Sequence, residues 1–176
     1  MKQTKQLVLA ALFLALGVTL PQAFHAVPNA GSVFLPMHIP VLLGGMVLSP
    51  LYALAVGILT PILSSLIFHM PPVAYLPSMV CELAVYGLTA SLIYHHIKTK
   101  NNLLNIYIGL IGAMLCGRIT YGILNALIFR AGAYSLQTWL TAAFVTGLPG
   151  IIIQLIVIPI LILALQKAKL IEQWSS

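Results

Sequence analysis

Apolar residues run along this chain in blocks of bilayer-spanning length, separated by short stretches of polar residues, proline and glycine. A membrane span needs about 20 apolar residues at about 1.5 Å of rise each. On that measure the pattern predicts six spans, at about 6–22, 34–49, 51–68, 77–95, 104–129 and 149–167. The second and third form a tight pair turning at Ser49-Pro50. The second is short, and a small tilt or a locally thin bilayer would accommodate it. No internal repeat, heptad pattern or low-complexity tract interrupts this plan.

The second span opens unusually, on FLPMHIPVLLGG at 34–45. Pro36 and Pro40 suit an opening turn, where missing N–H donors cost nothing. His38 lies in that turn, after a loop at 26–32 expected to be flexible. This places it at the rim of any site on that side. Gly44 and Gly45 are expected to let the helix pack closely further down. Two later loops are also structured. HMPPVAYLP at 69–77 holds three prolines, and 135–147 is expected to form a short interfacial helix with Trp139 at headgroup depth. Gly147-Leu148-Pro149-Gly150 then breaks that helix and starts the last span.

Composition turns this pattern into a class. The chain has 176 residues, 61% hydrophobic and 6% charged, against about 25% charged for a soluble domain. It is read as an all-α integral membrane protein, one six-helix domain over 1–176. The net charge of +6 does not indicate nucleic acid, because its lysines flank the spans and form no basic face. With six spans, Lys2, Lys5, Lys98, Lys100, Lys167 and Lys169 all fall on one side, together with both termini. The positive-inside rule makes that side the cytoplasm. The other side carries one formal charge, Arg130. The lysine-led N-terminus imitates a signal peptide, but PQAFHA lacks a small-x-small cleavage site, so 6–22 is read as a retained span.

Ionisable groups inside a bilayer are costly and mark candidate sites. Glu82 lies about five residues in from the outer end of span four, and Arg118 lies near the middle of span five. Arg118, Tyr121 and Asn125, at i, i+3 and i+7, share one helix face; Glu82 and Tyr86, at i and i+4, share another. His38 near the outer end of span two and Gln154 a turn into span six bring the number of contributing helices to four. The inner halves of the spans read as nearly pure Leu, Ile, Val, Ala and Gly. Together these features predict an outward-facing polar pocket over an apolar floor. Each residue also has a plainer reading. Glu82 and Arg118 can simply pair, His38 can close its own helix start, and Tyr121, Asn125 and Gln154 can be interhelical hydrogen-bond glue at about 1 kcal/mol each. Trp139 can be an interface anchor or a ligand-stacking ring.

Enzyme chemistry finds little support. There is no aspartate, no Gly-x-Ser-x-Gly, no His-Glu-x-x-His and no nucleotide-binding Gly-rich motif. No cofactor or metal is expected, and Cys81 and Cys116 read as small core residues. Uphill transport would therefore need partner ATPases, or proton coupling through Glu82 in a stand-alone carrier. Ala11-x-x-x-Ala15 places two small residues on one helix face, where another helix can approach closely.

Several stretches together resemble the substrate-binding S component of energy-coupling factor (ECF) vitamin transporters. These are the basic N-terminus with Ala11 and Ala15, FLPMHIPVLLGGMVLSPLYALAVGILTPILSSL at 34–66, MPPVAYLPSMVCELAVYGLTASLIY at 70–94 and LPGIIIQLIVIPILIL at 148–163. The resemblance implies a six-helix protein in a bacterial cell membrane that binds a B-type vitamin near its outer face. It implies association with a membrane-embedded coupling subunit through the Ala11 and Ala15 face, and two cytoplasmic ATPase subunits. A pyridoxine or hydroxymethylpyrimidine ring would suit Glu82, Asn125 and the tyrosines. Pantothenate or niacin would suit Arg118 as a carboxylate clamp. Cobalamin would need a wide outer vestibule.

Overall fold

A computed structural model describes residues 3–24, 29–97, 99–132 and 134–171; Lys2 and Lys98 lie outside them. Every regular element among these residues is helical. Helix α1 (Gln3–Thr19) runs into a 3₁₀ turn at Leu20–Phe24. Then come α2 (Ala30–Phe34), α3 (His38–Val47), α4 (Pro50–Phe68), α5 (Leu76–His96) and α6 (Asn102–Leu124). The last two are α7 (Leu136–Leu140) and α8 (Leu148–Lys167). Six segments are long and apolar enough to cross a membrane: Gln3–Phe24, Ala30–Val47, Pro50–Phe68, Leu76–His96, Asn102–Phe129 and Leu148–Lys167.

The short second span is the axis of the bundle. Of Ala30–Val47, 72% is buried, whereas no other spanning segment exceeds 44% over its most apolar stretch. Helix α3 packs against α1, α4, α5, α6 and α8, and Val41, Leu42 and Leu48 have no exposed surface. A helix sheathed by its neighbours need not match the bilayer by itself, so neither tilt nor thinning is required. The loop expected at 26–32 is helical over 30–32. Residues 26–28 fall outside the described set, and Ala30 already belongs to α2. The chain breaks between α2 and α3 at Leu35, which takes a left-handed conformation (φ 51°) just before Pro36.

Close approach to α3 depends on a missing side chain. A Cβ at Gly45 would meet the Gly87 carbonyl oxygen at 2.9 Å, so α3 and α5 are in backbone contact there. Ser49 and Pro50 open α4 as anticipated, with Pro50 in its first turn. The Pro-rich loop is tied down by Ser65, whose hydroxyl donates to the Pro71 carbonyl at 2.9 Å.

The inner halves of the helices pack an apolar core through Leu42, Met46, Ala90, Leu110, Ala113 and Ile158, as the sequence predicts, but the lysine-bearing end itself closes on polar residues. Gln166 Nε2 donates to Tyr94 Oη at 2.9 Å, and Asn102 Nδ2 donates to Gln166 Oε1 at 2.6 Å, joining α5, α6 and α8. The Gln6 side-chain Oε1 accepts from the Ser49 N–H at 3.0 Å, and the Ser91 hydroxyl donates to the Leu48 backbone carbonyl at 2.7 Å. Lys5 Nζ reaches the Leu170 carbonyl at 2.8 Å, bringing the two ends of the described chain together. Flanking polar residues close on one another here because unpaired polar groups are expensive among apolar helices.

Candidate ligand site

At the opposite end, away from the described lysines, α3, α5 and α6 bring buried polar side chains together, and α8 adds the buried Gln154 in its second turn. Glu82 stands on the second turn of α5, Arg118 six residues from the end of α6, and His38 at the start of α3. Arg118 Nη1 lies 3.1 Å from Glu82 Oε1, and His38 Nε2 lies 3.8 Å from Glu82 Oε2. The Tyr86 ring meets the His38 ring nearly edge-on, with centroids 5.3 Å apart. The i, i+4 reading of Glu82 and Tyr86 therefore holds, and both face inward. His38, Glu82, Tyr86, Arg118, Asn125 and Gln154 are all buried, while Tyr121 is half-buried. His38 is thus not a rim residue. The Leu35 break folds it down into the bundle, where it is 2% exposed.

Packing around this group is tight. A Cβ at Gly117 would run into the Tyr86 ring, so α6 approaches α5 only because position 117 has no side chain. Gly147, just before α8, lies against Arg118 Nη2 and Leu35. The site is closed in this conformation.

Several buried polar atoms at this end have no hydrogen-bond partner within the protein. They are both ring nitrogens of His38, Glu82 Oε1, Arg118 Nε and, on the second turn of α8, Gln154 Nε2. The Glu82–Arg118 contact is an ion pair by distance, but it does not align an N–H with Oε1. Buried polar atoms are normally satisfied, and a cluster of exceptions calls for a reason. Donors from Arg118 and Gln154, an acceptor on Glu82 and an ambivalent imidazole make a set able to surround a polar guest.

Two expected ligand groups are partly committed elsewhere. Trp139 is half-buried and tied to α6. Its indole N–H donates to the Arg118 carbonyl at 2.9 Å, and the ring covers Gly122. Together with Ile119, Ile123, Ala126, Tyr134, Ser135 and Leu136 it lines a shallow groove of about 260 Å³ on the flank of α6. The Asn125 amide N–H donates to the Tyr121 carbonyl at 2.8 Å, which leaves its carbonyl oxygen for other partners. That side-chain bond coincides with a change of pitch. Asn125–Phe129 is a π turn, and the Arg130 N–H reaches the Asn125 carbonyl at 2.8 Å. Such turns recur at functional sites. A second π turn, Thr141–Thr146, extends α7, so the anticipated helix at 135–147 forms with a widened second half.

An aromatic cluster that sequence reasoning did not assemble lies at the same end. The Arg130 guanidinium sits 4.5 Å from the Tyr75 ring centroid and 5.9 Å from that of Tyr134. Tyr134 in turn meets Tyr121 at 6.5 Å. Burial, then the neighbouring Tyr121, raises the Tyr134 phenol above its ordinary pKa. The sequence signal was the lone charge of Arg130 among outer-loop tyrosines. Cys116 also departs from expectation, since it is exposed on the flank of α6 and not in the core, while Cys81 is half-buried. No group of three metal-ligating side chains occurs among the described residues.

The sequence model of the family described as ECF transporter, substrate-specific component, matches residues 5–162. The chain belongs to this family. It is a multi-pass membrane protein and a substrate-binding transporter subunit, not an enzyme. Membership implies a small-molecule substrate and association with the partner module of an ECF transporter. Comparisons with curated proteins and with solved structures find no match. Residues 5–162 cover the six spanning segments found among the described residues except for Gln3, Thr4 and the end of α8 after Ile162, so the match includes His38, Glu82, Tyr86, Arg118, Asn125 and Gln154.

Proposed function

We propose that this substrate-specific component binds a B-type vitamin or related micronutrient at the end away from its lysines, and delivers it to the cytoplasm of a bacterial cell. Both termini would then be cytoplasmic. Import would be driven by two ATPase subunits acting through a membrane-embedded coupling subunit. The observation that carries this reading is the meeting of His38, Glu82 and Arg118 from three helices at one end of the bundle, with buried polar atoms that make no hydrogen bond within the protein. His38, Glu82, Tyr86, Arg118, Tyr121, Asn125 and Gln154 would contact the ligand. Trp139 would act at the wall, holding the α7 segment over α6.

The coupling subunit would dock on α1. Ala11 and Ala15 are exposed on the outer face of that helix, while Phe13, Gly17 and Val18 pack inward. Ordinary internal packing therefore does not account for the two alanines. A small-residue face lets a second helix approach closely.

The test is calorimetric titration of the purified protein with pyridoxine, hydroxymethylpyrimidine, pantothenate, niacin and cobalamin. It should be joined to mass spectrometry of any copurifying small molecule. A tight binder, with uptake into proteoliposomes that needs ATP and the partner subunits, is the expected result. Uptake by the protein alone under a pH gradient, abolished by Glu82→Gln, would instead establish the proton-coupled carrier.

A further inference from the structure

Glu82 is one of only two acidic residues in the chain, and the other is Glu172 near the C-terminus. Arg118 and Arg130 are its only arginines. The buried cluster thus holds one carboxylate and one guanidinium, 3.1 Å apart. Taken as a neutral imidazole, His38, whose Nε2 stands 3.8 Å from Glu82 Oε2, adds no charge to the pair. Arg130 lies outside this group, half-buried and stacked on Tyr75 and Tyr134. The interior of the site is therefore electrically balanced before any ligand arrives.

Resting on the vitamin-binding reading above, we infer that the site selects ligands of zero net charge that carry both hydrogen-bond donors and acceptors, and that it rejects their anionic counterparts. A neutral heteroaromatic molecule completes the unpaired set without disturbing the ion pair. Its donor would meet Glu82 Oε1 and its acceptor Arg118 Nε, the two unpartnered atoms of the ion pair. The Tyr86 ring and the His38 imidazole supply an aromatic wall. An anion has two ways in, and both are unfavourable. It either leaves its own charge uncompensated among apolar helices, or it takes Arg118 from Glu82 and strands that carboxylate. Leaving one member of a buried charge pair without its partner lowers affinity by factors of about 30 to several thousand.

The experiment compares near-isosteric ligands that differ in charge. Nicotinamide, pyridoxine and hydroxymethylpyrimidine are titrated against nicotinate and pantothenate, using the full-length protein in detergent at neutral pH. The expected result is a neutral binder at least about thirtyfold tighter than either anion. Glu82→Gln, which leaves Arg118 uncompensated, should shrink or invert that gap. The double variant Glu82→Gln/Arg118→Gln, again balanced, should restore it. Tighter binding of nicotinate or pantothenate by the wild-type protein overturns the charge inference and leaves vitamin binding standing. No binding across the panel overturns vitamin binding and the charge inference with it. The wild-type panel decides the matter even if Glu82→Gln fails to fold.

Discussion

Breaking the Glu82–Arg118 pair one side at a time, and then on both sides, tests the centre of this structure. At 3.1 Å and an effective dielectric constant of about 20, two unit charges attract by 332/(20 × 3.1), about 5 kcal/mol. That gain is largely offset by the cost of taking both ions out of water, so the pair adds little net stability. Removing one partner is different, because the cost of burial stays while the attraction goes. Glu82→Gln and Arg118→Gln should each cost about 3–5 kcal/mol, a large share of a typical stability of about 5–15 kcal/mol. The double variant should cost far less than the sum, leaving a coupling energy of about 3 kcal/mol or more. Reversible denaturant or SDS titration of the micelle-embedded protein, followed by far-UV circular dichroism, reads all four corners of the cycle. Single-variant costs that add to the double-variant cost within about 0.5 kcal/mol would refute the claim that these two charges hold each other in a low-dielectric interior.

Gly117→Ala should push the Tyr86 ring out of place. Overpacking costs about 1–3 kcal/mol against about 1 kcal/mol of helix propensity gained; calorimetry should show at least a tenfold loss of ligand affinity beside a small drop in stability. Gln166→Leu removes the ties to Tyr94 and Asn102. At about 0.6–1.7 kcal/mol per interhelical bond, stability should fall by about 1–3 kcal/mol in the same titration, with ligand affinity unchanged. Ala11→Trp places a large ring on the exposed face of α1; co-purification with the coupling subunit should be lost while ligand titration is unaltered, and an intact complex would remove α1 as the docking face.

The number of spans was legible because hydropathy over about 20 residues reports how chain and solvent exchange, whatever the neighbours do. The inward faces of α5 and α6 were legible for a related reason. A helix turns a spacing of three, four or seven residues into a shared face, so Glu82 with Tyr86, and Arg118 with Asn125, were paired by number alone. Family resemblance was likewise carried by local stretches such as FLPMHIPVLLGG, which require no tertiary information.

Depth and partnership were decided only by packing. His38 looked like a rim residue because two prolines mark a helix start. A left-handed Leu35 and the central position of α3 carry it into the core, and neither can be inferred from a linear pattern. The linear pattern also does not show that α7 folds back so that Trp139 gives its N–H to the Arg118 carbonyl. The same holds for Asn102, Gln166 and Tyr94, whose separations of 64 and 72 residues make one polar knot of what read as scattered flanks. Hydropathy and helical period are properties of the chain itself. Which buried polar atom meets which partner depends on contacts between distant segments, and it is those contacts that join Glu82 to Arg118 and leave Arg118 Nε and the His38 nitrogens without a hydrogen bond.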